Sequence, residues 1–132
     1  MRKIFQIFTV AVILFIAATH SFSQQRITFK KGAKQATVTG NLKNYKSKRV
    51  FVIRVRRGQT LRTEQIKSDS SNRYITVYIK APNGKDVTDS DASCNNRKEV
   101  SPTRAGDYRI KVVECMKADA WRGSFKLKVR VE

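Results

Sequence analysis

An alternation of apolar and polar side chains with a period of two runs through the end of this chain. This pattern constrains the fold more than any other feature. The apolar positions in the runs 107–115 and 124–132 are Tyr108, Ile110, Val112, Phe125, Leu127, Val129 and Val131. A half-buried strand has this period, whereas a helix repeats every 3.6 residues. We therefore predict two strands that form a β-hairpin, each with one buried face.

The alternate positions of the same two runs are basic. They are Arg109, Lys111, Lys126, Lys128 and Arg130. In a hairpin in which Cys115 faces Ser124, Lys111 would lie opposite Lys128. Arg109 would likewise lie opposite Arg130, and directly opposed like charges repel. Either an anionic partner binds this basic face, or the two strands are not neighbours in this register.

Shorter runs with a strand-like pattern occupy much of the remaining chain. They are 27–29, 36–39, 50–55, 61–66 and 74–80. All six glycines fall between such runs, where turns need a permissive backbone. Seven or eight short strands at this spacing predict an all-β fold, an antiparallel, jelly-roll-like β-sandwich. The segments 41–49 and 86–97 do not alternate, and we predict that they are loops.

Residues 1–23 have the three regions of a secretory signal. The basic residues Arg2 and Lys3 precede an apolar run at 8–18, and small residues precede Gln24. We expect cleavage before Gln24, which leaves a single domain of residues 24–132 in the periplasm or outside the cell. An uncleaved anchor is the alternative, although the apolar run is short for a membrane span.

The net charge of the exported domain is strongly positive. Because Arg2 and Lys3 lie in the signal, 26 of the 28 basic residues and all 10 acidic residues remain, which gives +16. Such a field attracts polyanions or acidic protein clefts, although it also serves simply to keep a protein soluble. Nucleic acid is not the expected partner, because the cations are interleaved through many strands rather than set beside exposed aromatic residues, and because the protein is exported.

Two cysteines, Cys94 and Cys115, follow the signal, and an exported pair predicts a disulfide. A bridge over this separation would stabilise the fold by about 3 kcal/mol in the chain-entropy model. We expect no catalysis, because the one histidine, His20, lies in the signal and leaves no usual general base.

No metal site or cofactor is expected either, since two thiols alone make an incomplete zinc site. Closely spaced carboxylates at Asp86, Asp89 and Asp91 could gather a calcium ion. The alternative is a solvated acidic loop that offsets nearby lysines.

Trp121 lies in the segment 116–123, which has no strand-like alternation. A tryptophan beside Arg122 in a loop resembles the anchors that dominate protein interfaces. The alternative is a loop that folds back and closes the open end of the sandwich.

Four segments carry a resemblance to a known family. They are 27–32, 36–40, 52–60 with its Arg-Gly-Gln-Thr turn, and 105–112. These resemble the periplasmic inhibitors of g-type lysozyme, which share an eight-stranded β-sandwich with the bacterial pre-peptidase C-terminal domains.

In that family, the loop before the last strand carries arginines that enter the substrate cleft of the lysozyme. The resemblance implies that the loop 116–123 is inhibitory here, with Lys117, Trp121 and Arg122, and that Tyr45 contributes from the loop after Gly40. The implied partner is a lysozyme, with the g-type favoured. The alternative is a non-enzymatic module that binds anionic envelope polymers through the basic face. That face comprises Arg109, Lys111, Lys126, Lys128 and Arg130.

Overall fold

The computed structural model describes residues 24–67, 73–87, 94 and 96–132, and the regular elements of these residues are all β-strands. The strands are β1 (Gln25–Arg26), β2 (Gln35–Leu42), β3 (Lys48–Val55), β4 (Leu61–Ile66), β5 (Ile75–Lys80), β6 (Arg97–Val100), β7 (Gly106–Glu114) and β8 (Gly123–Val131). Strands β1-β3-β7-β5 form one sheet, called sheet A, and β2-β8-β4-β6 form the other, sheet B. All pairs are antiparallel except β1 with β3. The predicted all-β sandwich is confirmed.

The predicted signal, 1–23, lies outside the described residues. Within the described part of the chain, no helix has the length and apolar character needed to cross a membrane.

The core lies between the two sheets, and the alternating rows that the sequence predicted as apolar fill it. The rows are Phe51, Ile53 and Val55 in β3, Ile75, Val77 and Ile79 in β5, Tyr108, Ile110 and Val112 in β7, and Phe125, Leu127, Val129 and Val131 in β8. Burial of each such side chain contributes roughly 1.5–3 kcal/mol. These rows therefore supply most of the favourable free energy of folding.

The predicted hairpin of the last two strands is wrong. Strand β7 pairs with β3 and β5 in sheet A, whereas β8 pairs with β2 and β4 in sheet B. The two strands belong to opposite sheets, so neither Lys111 with Lys128 nor Arg109 with Arg130 forms a cross-strand pair. The period of two indicates that one face of a strand is buried, but it does not indicate which strands are its neighbours. Of the two alternatives drawn from the sequence, the absence of this pairing is the correct one.

Several strand boundaries also differ from the predictions, and β2, which ends at Leu42, and β3, which begins at Lys48, both extend into the predicted loop 41–49. Strand β6 begins at the end of the predicted loop 86–97. Its inward residues are Lys98 and Val100, and because one of them is a lysine, although only 7% exposed, the sequence shows no apolar alternation there. At the other end, the ladder of β1 with β3 covers Gln25–Arg26 rather than 27–29.

Gly40 allows the ring of Phe125 to lie over β2. The two residues are directly opposed across β2 and β8, and a Cβ atom at Gly40 would collide with the ring edge. The ring has little room to move, because it is 4% exposed and meets Phe51 edge-on at 6.2 Å between centroids. The absence of a side chain at Gly40 is therefore a packing requirement.

We expect Gly40→Ala to lower the free energy of unfolding by about 1–3 kcal/mol, because overpacking forces a core ring from its position. The neighbouring exposed residue provides the control, since Asn41→Ala should change stability by no more than about 0.5 kcal/mol. Urea titration of both variants measures the difference. Equal stability of Gly40→Ala and the parent chain would contradict this account of the packing.

Candidate functional site

The segment between β7 and β8 crosses from sheet A to sheet B at one end of the sandwich, and a disulfide fixes its base. Cys94 and Cys115 are bonded with their Cα atoms 4.7 Å apart, which confirms the predicted bridge. The backbone N–H of Cys115 donates to the carbonyl of Tyr74 at 3.0 Å, so the same residue is also tied to the segment before β5. The loop therefore starts from a rigid point.

Trp121 anchors the other end of this loop. Its side chain packs partly buried against the core, and its indole Nε1 donates to the carbonyl of Tyr74 at 3.2 Å. Its backbone N–H donates to Oε1 of Glu114 at 2.7 Å. These contacts support the interpretation in which the loop folds back and closes the end of the sandwich. Trp121 therefore holds the loop against the core and is not a fully exposed side chain.

Glu114 is a structural residue of this loop that the sequence reading did not identify. It continues the inward row of Tyr108, Ile110 and Val112, and it is fully buried at the end of β7. Extending the alternation by two residues from Val112 would have found it. Its second oxygen, Oε2, is buried with no hydrogen-bond partner in the described part of the chain. The buried side chain of Glu114 therefore fixes the backbone at Trp121, where the loop comes back to the sandwich.

Tyr45 joins a second loop to the first. Its hydroxyl donates to the carbonyl of Ala118 at 2.6 Å. The loop that carries Tyr45 has its own internal bonds, because the Ser47 hydroxyl accepts the backbone N–H groups of Lys43 and Asn44 at 3.0 and 3.3 Å. The structure thus brings Tyr45 and the segment 116–123 together, although they are far apart in sequence.

The side chains that remain exposed on the braced loop are a mixed set. Met116 is 68% exposed, and Lys117, Asp119 and Arg122 are also exposed. Neither Lys117 nor Arg122 forms a salt bridge with any residue that the structure describes. The loop therefore presents two available cations beside an apolar thioether.

The five cations predicted to form one basic face are divided between the two sheets. Arg109 and Lys111 lie on the outer face of sheet A, whereas Lys126, Lys128 and Arg130 lie on the outer face of sheet B. As a single surface, the predicted face does not exist, because its two strands are on opposite sides of the core.

Glutamates neutralise much of the outer face of sheet B. Arg62 lies directly opposite Arg130, and Glu132 binds both, at 2.6 and 2.9 Å. Arg62 also binds Glu99 at 2.7 Å. In the next row, Glu64 binds Arg97 at 2.7 Å and Lys128 at 3.5 Å. The like-charge pair in this sheet is therefore bridged from within the chain.

Metal and calcium binding have little support in the described residues. They contain no group of three His, Cys, Asp or Glu side chains able to hold a metal ion. The calcium alternative involves Asp86, Asp89 and Asp91, and the last two lie outside the described residues.

The ion pairs of sheet B make stability depend on pH. A hydrogen bond from Arg130 lowers the pKa of Glu132, and one from Arg97 lowers the pKa of Glu64. A carboxyl with a lowered pKa in the folded state stabilises the fold above its unfolded pKa of about 4.3, and this stabilisation disappears as the pH falls through the folded value.

We therefore expect the melting temperature to fall as the pH is lowered from about 5 through 3, and to fall less steeply in Glu132→Gln, which lacks one of these groups. Differential scanning calorimetry across this range measures both slopes. Asp119→Asn is the control, because Asp119 is exposed and forms no salt bridge with a described residue. A parallel decline in the parent chain and Glu132→Gln would rule out this role for Glu132.

Glu114 yields a second prediction. Glu114→Ala removes the acceptor for Trp121 N–H, and we expect a loss of about 1–3 kcal/mol because a partly buried donor is left unpaired. Glu114→Gln keeps an oxygen that can accept the same hydrogen bond, so its stability should stay within about 1 kcal/mol of the parent value. Urea unfolding distinguishes the two. Equal losses in both variants would show that the hydrogen bond is not what matters.

No protein-family model and no curated protein matches the chain by sequence. Solved structures do match its fold. PliG of Aeromonas hydrophila, a periplasmic lysozyme inhibitor of g-type lysozyme, gives a TM-score of 0.63 at 15% identity over 83% of this chain and 96% of its own. PliG of Salmonella Typhimurium, another such inhibitor, gives 0.56 at 17% identity over 83% and 99%.

A domain from another kind of protein matches as well. The pre-peptidase C-terminal domain of collagenase from Bacillus anthracis gives a TM-score of 0.51 at 14% identity over 83% of this chain and 95% of that domain. At such low identity, the similarity establishes the fold alone. The chain therefore has the β-sandwich fold that periplasmic inhibitors of g-type lysozyme share with a pre-peptidase C-terminal domain.

Proposed function

We propose that this protein is a secreted or periplasmic inhibitor of a lysozyme, and that the loop 116–123 blocks the substrate cleft of the muramidase. The observation that carries the proposal is the bracing of this loop. It has the Cys94–Cys115 disulfide at its base, the Trp121 contacts at its return and the Tyr45 hydroxyl in its middle. Lys117 and Arg122 remain exposed on it.

The chemistry of a muramidase suits such a loop. Glycoside hydrolases of this kind use carboxyl groups beside the scissile bond, in a cleft that admits an extended sugar chain. A guanidinium or ammonium group that enters the cleft can pair with these acids and exclude the substrate. Because the loop is already held in place, less conformational freedom is lost on binding, and this favours affinity.

The fold neighbours favour the g-type enzyme as the target and the periplasm as the location. Two matched structures are periplasmic inhibitors of g-type lysozyme, and a mutant inhibitor from Escherichia coli matches at a TM-score of 0.55. The collagenase domain has the same fold without such a description, so the argument rests on the loop as well as on the sandwich. The proposed role is one of binding and requires neither catalysis nor a cofactor.

The charge of the protein sets a condition on its target. A domain of this net charge would be repelled at long range by a strongly basic lysozyme, and the repulsion would be largest at low salt. An acidic cleft at the point of loop entry, or a less basic enzyme, removes this difficulty. The target is therefore expected to present its carboxylates to the loop within a locally negative cleft.

Replacing the exposed cations of the loop tests the proposal. We expect Lys117→Ala and Arg122→Ala each to raise the inhibition constant at least about tenfold, because each leaves a cleft carboxylate without its partner. The matched control is Lys126→Ala on the outer face of sheet B, which removes the same charge and should change inhibition less than about twofold. The assay follows cell-wall lysis by g-type, c-type and i-type lysozymes near physiological salt.

Two outcomes would contradict the proposal. One is that none of the three lysozyme types is inhibited by the parent protein. The other is that Lys126→Ala weakens inhibition as much as Arg122→Ala, which would assign the effect to net charge rather than to the loop.

A further inference from the structure

The outer face of sheet A differs in its electrostatics from that of sheet B. We call this surface the sheet A face and define it by the outward-facing residues of strands β3, β7 and β5. Its exposed or half-buried cations are Lys48, Arg54, Lys80, Arg109 and Lys111, and the half-buried Val50 and Tyr78 and the buried Val52 lie between them. The sequence predicts Arg109 and Lys111 as cations of a basic face, but it does not indicate that they share this sheet with Arg54 and Lys80 or in which register.

The register of the strands places two cations directly opposite each other. Lys80 in β5 is the cross-strand partner of Arg109 in β7. One row further along, Lys111 is flanked by Tyr78 on β5 and Val50 on β3. Like charges in directly opposed positions destabilise a sheet. The repulsion expected from the sequence between β7 and β8 thus occurs instead between β7 and β5.

No carboxylate bridges this pair in the described part of the chain. Asp107 binds Arg26 through both of its oxygens at 3.0 and 2.9 Å, and it attracts Arg54 and Arg109 electrostatically without forming a salt bridge to either. Asp86 lies across from Lys80 on its other side, but no described residue forms a salt bridge with Lys80 or Arg109. In sheet B, by contrast, Glu132 binds both members of the opposed pair Arg62 and Arg130.

The contrast between the two faces indicates where an anion from solution could bind. Both sheets carry an opposed pair of cations, and among the residues that the structure describes only sheet B supplies a carboxylate that bridges it. An anion bound from solution between Lys80 and Arg109 would take the position that Glu132 takes on sheet B. Arginine can bind such an anion with two hydrogen bonds, and lysine can bind it as a point charge.

The shape and chemistry of the sheet A face favour a linear polymer of sugars. The exposed large hydrophobic residues of the described chain are Ile66, Val87 and Met116, and none belongs to this face, so it offers nothing to insert into a bilayer. Its one aromatic ring, Tyr78, has the ammonium of Lys111 at 4.8 Å from its centroid, which leaves it poorly suited to stack nucleic-acid bases. It also lacks the large protruding anchor typical of protein interfaces.

A polysaccharide needs neither insertion nor base stacking. On this face its acidic groups can pair with cations that recur at strand spacings of about 4.8 Å across the sheet and about 6.8 Å along each strand. Its sugar rings can lie against the half-buried side chains of Val50 and Tyr78 between them, with the Lys111 ammonium beside the Tyr78 ring. We propose that the sheet A face binds a linear acidic polysaccharide, at a site separate from the inhibitory loop.

The test is the binding of fluorescently labelled protein to polygalacturonate at about 0.15 M ionic strength, where exposed charges are screened beyond about 8 Å. The double variant Lys80→Gln with Lys111→Gln should bind at least about tenfold more weakly. The matched control is Lys126→Gln with Lys128→Gln, which removes the same number of lysine charges from sheet B and should bind within about twofold of the parent protein.

Stability provides a second readout. Lys80→Gln relieves the repulsion with Arg109 and Lys111→Gln removes one exposed cation–π contact with Tyr78, so the melting temperature of the first double variant should stay close to that of the parent protein. Weaker binding with an unchanged or raised melting temperature would exclude unfolding as the cause.

Three results would overturn the proposal. They are equal losses of binding in the two double variants, no binding of the parent protein to polygalacturonate at this salt concentration, and tighter binding to phosphatidylglycerol vesicles or single-stranded DNA than to the polysaccharide. Because lysozyme inhibition is assigned to the loop, the first double variant should inhibit as the parent does, so this proposal and the proposed function can fail independently.

Discussion

Strands β7 and β8 bury their apolar rows in the same core from opposite sheets, and this arrangement determines the course of the chain between them. The connecting segment cannot close as a tight turn, because it must cross the full thickness of the sandwich. At the point of crossing it covers the end of the core, where Trp121 and Glu114 become partly or fully buried. Burial of these two residues therefore holds the loop in place, just as burial of the apolar rows holds the sheets together. The backbone that carries the exposed cations of the loop is fixed as a result.

The strands and the inward residues could largely be predicted from the sequence, and the pairing of strands could not. Alternation over 107–115 and 124–132 reports the burial of one face, which is a local property. The neighbours of a strand depend on contacts between residues distant in sequence, and a hairpin and a two-sheet crossing bury the same residues. Strand β6 was not predicted for a related reason. Lys98 occupies an inward position through its methylene groups, whereas a pattern based on polarity assigns a lysine to the outward face.

The candidate loop shows the same division. The disulfide and the cations Lys117 and Arg122 could be identified from residue type and position, because these signals are carried by single side chains. The hydrogen bond of Tyr45 to Ala118 links residues from separate loops, and only the folded chain brings them together. The two interpretations of Trp121 could not be separated by sequence either, since an exposed anchor and a packed support have the same neighbours in the chain.

The ion pair of Arg26 with Asp107 has a consequence for association between copies of the chain. Strand β3 contains a run of β-branched and aromatic residues, and on one side its neighbour within the described chain is β1, which pairs with it over two residues. Arg26 reaches across β3 to bind Asp107 on β7, and this contact fastens β1 over an edge that would otherwise expose unpaired backbone groups. Such an edge is a template for intermolecular β-pairing. The Arg26–Asp107 pair thus helps to hold β1 over the part of this edge at Phe51 and Val52, and salt or protonation of Asp107 weakens that contribution.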